Sequence, residues 1–128
     1  MEKGKFATAI SCIDGRVQGP VAEWMKKNFG VDYVDTITEP GPDKALLGQD
    51  ERVESIRQKV MISIKAHNSC AIAVAGHYDC AGNPVSQEEH LEQIKKCTEV
   101  VASWGLPVRI AGLWVNKQWK VEVVRDLK

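Results

Sequence analysis

Short apolar runs alternate along the chain with stripes of helical period. Phe6 to Ile10 is almost continuously apolar, and residues 5–12 are predicted as a first strand. Gly19-Pro20 opens a helix in which Val21, Trp24, Met25 and Phe29 recur at helical spacing, and Gly30 supplies its stop. Val31 to Ile37 is β-rich and reads as a second strand. Thr38-Glu39-Pro40-Gly41-Pro42 can continue neither strand nor helix, so it is a loop at that strand's C-terminal end. Residues 43–50 are ambiguous, with room for a short helical turn. From Glu51 to His67 the positions Val53, Ile56, Val60 and Ile64 mark an amphipathic helix. Residues 70–76 are apolar at nearly every position, which suits a central strand of a parallel sheet covered on both faces. Ser86-Gln87-Glu88-Glu89 is a capping box that starts a helix with the stripe Leu91, Ile94, Cys97 or Thr98, Val101 and Trp104, ended by Gly105. Val108 to Val115 is a fourth strand. Asn116-Lys117 reads as a tight turn, after which Trp119, Val121 and Val123 alternate with charged residues as a last strand.

The resulting pattern, βαβαβαββ, predicts one α/β domain over residues 1–128, a doubly wound and mostly parallel sheet flanked by helices. Right-handed crossovers make the early strands parallel. The order 2-1-3-4-5, with the last strand antiparallel, places the ends of the first and third strands side by side. That is the crevice in which such sheets bind ligands.

Composition changes little. With 44% apolar and 27% charged residues and a formal net charge of zero, the chain is an ordinary globular sequence with no basic surplus for nucleic acid. No apolar run approaches the roughly 20 residues that span a membrane, and no signal peptide is expected. A cytoplasmic location follows as the default, and its four cysteines are then read as thiols. Cys70 and Cys97 are expected to be small core residues, and His67 and His90 to be surface residues of helices.

The chemistry concentrates in two loops. Cys12-Ile13-Asp14-Gly15-Arg16 follows the first strand, and Gly76-His77-Tyr78-Asp79-Cys80-Ala81-Gly82 ends the third. Cys12, His77 and Cys80 form a three-ligand set suited to Zn²⁺ with one tetrahedral position left over, where water would become a hydroxide nucleophile near neutral pH. Asp14 and Arg16 are two residues apart and can point the same way. A guanidinium fork would hold the carboxylate so that it directs that nucleophile. The bland alternatives are a solvated surface pair and incidental cysteines.

These two segments resemble the Cys-x-Asp-Ser-Arg and Gly-His-x-x-Cys-Gly-Gly motifs of β-class carbonic anhydrases. Ile110-Ala111-Gly112-Leu113-Trp114-Val115 is similar to the family's Gly-Trp-Val-Tyr strand. The resemblance implies zinc on Cys12, His77 and Cys80, with Asp14 and Arg16 as the pair that gates the fourth ligand. It also implies reversible hydration of CO₂ to bicarbonate. Gly15 stands for the usual Ser and Ala81 for one Gly, and Thr38 to Pro42 replaces the family's Arg-Asn-Ala-Gly-Asn loop, so the chain resembles a minimal, divergent member. Competing readings are hydrolysis of CS₂ or COS on the same scaffold, a non-catalytic zinc-binding or regulatory domain closed by Asp14, and a thiol enzyme using Cys12. The last lacks the Cys-x5-Arg spacing, because Gln18 stands where the Arg would be. A homodimer or larger homo-oligomer is expected, from the family and from Trp114 and Trp119 in a terminal hairpin near a sheet edge.

Overall fold

The computed structural model describes residues 4–127; the ends of the expected domain, residues 1–3 and 128, lie outside the described residues. The elements run β1 (Phe6–Ser11), α1 (Gln18–Phe29), β2 (Tyr33–Thr38), α2 (Pro42–Ala45), α3 (Glu51–His67), β3 (Ala71–His77), α4 (Gln87–Ala102), β4 (Arg109–Val115) and β5 (Val121–Leu127). They build one five-stranded sheet in the order β2-β1-β3-β4-β5. β1 pairs in parallel with β2 and β3, β3 pairs in parallel with β4, and β5 returns antiparallel to β4.

Alternation along the strands decides what each face accepts. On one face lie Ala7, Ala9, Ala71, Ala73, Ala75 and Ala111, packed with Val21 and Met25 of α1. This row of small side chains lets α1 lie close to the sheet. The other face carries Ile10, Ile72, Val74 and Ile110, packed with Ile56 and Val60 of α3 and with Cys97 and Val101 of α4. β3 is buried at every position, as a central strand covered on both sides requires.

Helix ends follow local chemistry. Gly30 ends α1 in the left-handed region at φ 66°, where the missing Cβ avoids a clash. The Asp50 side chain accepts from Arg52 N to start α3. Ser86 Oγ accepts from Glu89 N to start α4.

The structure corrects several expectations. Cys70, expected in the core, is exposed, because it precedes β3 rather than lying within it. The buried stripe of α4 runs His90, Ile94, Cys97, Thr98 and Val101, so His90 is inside rather than on the surface, and Leu91 is only half-buried. Trp119 is not in the last strand. It belongs to a three-residue hairpin loop, where Trp119 N donates to Asn116 O at 2.8 Å and Asn116 N to Lys120 O at 2.9 Å. Trp114, expected in a terminal hairpin near a sheet edge, is 2% exposed on β4, whose edge β5 covers.

Candidate metal centre

β1 connects leftward to β2 through α1, and β3 connects rightward to β4 through α4. Their C-terminal ends therefore diverge, leaving a crevice between them. Cys12 stands one residue beyond β1, His77 is the last residue of β3, and Cys80 sits in the turn after it. The metal-binding atoms of Cys12, His77 and Cys80 all lie within 4.8 Å of one another, and all three residues are buried.

The donor set fits a tetrahedral zinc ion. The two sulfurs are 4.0 Å apart, against about 3.8 Å for two thiolates on one tetrahedral zinc. His77 Nδ1–H donates to the Tyr78 carbonyl at 2.7 Å. A carbonyl can only accept, so the proton is on Nδ1 and Nε2 carries a free lone pair. That Nε2 is buried and has no hydrogen-bond partner among the described residues. An orphaned buried acceptor costs about 1–3 kcal/mol, and a Lewis acid placed between it and the two sulfurs would satisfy it. Burial, and then the neighbouring Cys12 thiol, pushes the Cys80 thiol up to about 11. A cation beside the Cys80 sulfur would favour its thiolate.

Asp14 and Arg16 form a pair, as the two-residue spacing suggested. Arg16 Nε donates to Asp14 Oδ1 at 2.9 Å and a terminal nitrogen to Oδ2 at 2.6 Å, while Arg16 N also donates to Oδ1 at 3.0 Å. These bonds, the side-chain ones foremost, hold the Asp14 carboxyl well below the usual carboxylate range. Arg16 also reaches the second ligand loop, 3.4 Å from Asp79 Oδ2 and 3.3 Å from the Asp79 carbonyl.

Other residues that shape the site carried no motif. Gln18 Nε2 donates to the Cys12 carbonyl at 2.6 Å and so fixes the first ligand loop from the start of α1. Gly41 and Gly82 bring the Thr38–Pro42 loop against the second ligand loop. A Cβ on Gly82 would stand 2.7 Å from Gly41 N, and one on Gly41 2.7 Å from Gly82 O. Asp43, fully buried at the start of α2, accepts from Asn83 Nδ2 at 3.0 Å and is bonded to His90 Nδ1 at 2.5 Å. His90 shares the helical phase of Ile94, Cys97 and Val101, but that phase does not reveal the buried partner that receives it. Beside the cluster, a cavity of about 340 Å³ is lined by Cys80, Tyr78, Val85, His90 and Trp114, among others.

The sequence matches a family model described as "Putative carbonic anhydrase" over residues 2–125. No curated protein matches the chain at a significant level. A solved carbonic anhydrase from Glaciozyma antarctica is similar with a TM-score of 0.63 at 16% identity, covering 92% of this chain and 81% of that one. A carbonic anhydrase from Streptococcus mutans is similar with a TM-score of 0.52 at 17% identity, with the same coverage of 92% and 81%. At such identities the two structures establish a shared fold.

Proposed function

The chain belongs to the family described as "Putative carbonic anhydrase", and from that membership we propose that it is a zinc lyase: a single zinc domain over residues 1–128 that hydrates CO₂ reversibly to bicarbonate and a proton. Cys12 Sγ, His77 Nε2 and Cys80 Sγ would hold the ion. The observation that carries the reading is the buried Nε2 of His77, without a hydrogen-bond partner among the described residues, in a cluster with two thiols. Zinc in this set supplies Lewis acidity that makes water a nucleophile near neutral pH.

The chain's own residues then act on that nucleophile. Arg16 keeps Asp14 ionised and oriented through two parallel bonds. Asp14 can accept a hydrogen bond from a nucleophile that carries a hydrogen, and so aim its lone pair at the carbon of CO₂. The Tyr78 carbonyl fixes the His77 ring and tautomer. A domain closed by Asp14 as fourth ligand is disfavoured, because Arg16 engages both Asp14 oxygens.

Free thiols rather than disulfides support a cytoplasmic location. A homodimer is supported by exposed Ile13 and Tyr78 on the two ligand loops, 64% and 48% accessible, which a second copy would cover. Light scattering at micromolar concentration should give twice the chain mass; a monomer with full activity would refute the dimer.

Protein purified without added zinc should carry about one zinc per chain and release protons from dissolved CO₂ in a stopped-flow assay. Cys80→Ser should abolish both. Full zinc occupancy in Cys80→Ser would remove Cys80 from the ligand set, and an inactive wild type with zinc bound would leave a binding domain.

A further inference from the structure

The hairpin loop between β4 and β5 places a residue where its turn chemistry does not favour it. Asn116 Oδ1 accepts from Gln118 N at 3.0 Å and Lys120 N at 3.1 Å, and Trp119 N closes the turn on Asn116 O. Three-residue hairpin loops of this kind end in a left-handed residue, a position glycine fills without steric cost. Here it is Trp119, at φ 61°. A bulky L side chain at that angle costs stability, and such costs concentrate where a side chain is needed in a particular place.

The side chain's location is specific. The Arg16 guanidinium carbon lies 4.3 Å from the Trp119 ring centroid, in the range of a cation–π contact. Arg16 is thus held along its edges by Asp14 and Asp79, and over its face by an indole. The same indole lies 6.4 Å from the His77 ring. Trp119 is half-buried and packs on the sheet face that carries α1, so its ring is anchored.

We propose that Trp119 is a positioning residue that clamps Arg16 onto Asp14, making the β4–β5 hairpin a third support of the site beside the two ligand loops. The role rests on the carbonic anhydrase reading above for its catalytic consequence, but not for the clamp itself. Without the indole, Arg16 keeps its carboxylate partners and loses the surface that confines its plane. Asp14 then spends part of its time out of register with the nucleophile.

The test uses the full chain with Trp119→Gly and Trp119→Phe. Glycine suits the left-handed angle, so relief of strain offsets lost packing and the thermal midpoint should stay within several degrees of wild type. Zinc content should be unchanged. The rate at which phenylglyoxal labels Arg16 should rise about three- to thirtyfold in Trp119→Gly, the range of a lost cation–π contact, while labelling of Arg57 stays constant as an internal control. CO₂ hydration kcat/KM should fall by a similar factor, through kcat. Trp119→Phe, which retains an aromatic face, should recover most of both. Wild-type labelling of Arg16 in Trp119→Gly would overturn the proposal. The labelling rate needs neither metal nor turnover, so an inactive wild type would defeat the carbonic anhydrase reading and leave the clamp to be judged by labelling alone.

Discussion

Arg16 engages both oxygens of Asp14, at 2.9 and 2.6 Å, and so fixes the carboxylate's orientation while leaving a lone pair on Oδ2 to accept a further hydrogen bond. Arg16→Ala frees Asp14. Its carboxyl should rise toward the ordinary carboxylate range, and the hydration rate at neutral pH should fall about a hundredfold, as when a positioned carboxylate is lost from a proton-handling step. Stopped-flow kcat/KM from pH 7 to 9 checks this, and an unchanged profile would remove the pair from the mechanism. The surface of this ion pair is partly wet, with Arg16 45% accessible, so its contribution to stability is small and its value lies in orientation. Asp43 is the opposite case, a fully buried carboxyl group whose partners are His90 and Asn83. His90→Phe keeps an aromatic ring, a larger one, and leaves one Asp43 oxygen without its partner. Urea denaturation should show a loss of about 1–3 kcal/mol, with zinc content retained.

Among the elements, the second ligand loop depends on its neighbours more than on itself. Gly41 and Gly82 let two backbones meet at a distance that no Cβ permits, and Asn83 ties that contact to Asp43 and to Gln93 of α4 at 2.7 Å. Gly82→Ala would set a methyl group 2.7 Å from Gly41 N and from Pro40 C, both backbone atoms that cannot swing aside. Overpacking of this kind costs about 1–3 kcal/mol, and because the strain sits two residues from Cys80, zinc affinity should fall as well. Denaturation midpoints and competition with a chromophoric chelator measure the two effects separately; a variant unchanged in both would show that the loops need not touch. The same contact explains how Thr38 to Pro42 buttresses the site: Gly41 supplies the close approach, and Pro42 starts the short helix that carries Asp43.

At the scale of the molecule, a metal held by Cys12, His77 and Cys80 would join the ends of two strands that connect to the rest of the sheet in opposite directions. Such an ion binds only the folded arrangement, so its affinity adds to folding stability. At free zinc a hundred times the dissociation constant the gain is about 2.7 kcal/mol, and stripping zinc with a strong chelator should lower the melting temperature by about 10 °C. Calorimetry with and without chelator decides this, and equal midpoints would argue against a metal at the junction. Among the described residues, no helix is long and apolar enough to cross a membrane.

What the sequence determined by itself was whatever depends on local pattern. Apolar runs, β-rich composition and, in the last strand, alternation placed the strands to within a few residues, and period-3.6 spacings placed the three long helices, α3 at its bounds of Glu51 and His67. The strand order is not a local property: 2-1-3-4-5 was the doubly wound order that lets Cys12 meet His77 and Cys80, and the structure has that order. The Asp14–Arg16 pair was legible because its spacing is local. Contacts made across the fold were not. His90 looked like a polar surface residue, since nothing in its own helix reveals that Asp43 lies opposite to receive it. Cys70 looked like part of an apolar run until the register of β3 began one residue later and left it exposed. Trp119 read as a strand residue because alternation says nothing about φ; only the closed turn at Asn116 put it in the left-handed region and over Arg16. Sequence patterns encode which side of its own element a residue faces, whereas the partner it meets there depends on how the other elements pack, and that is settled only when the sheet and its helices come together.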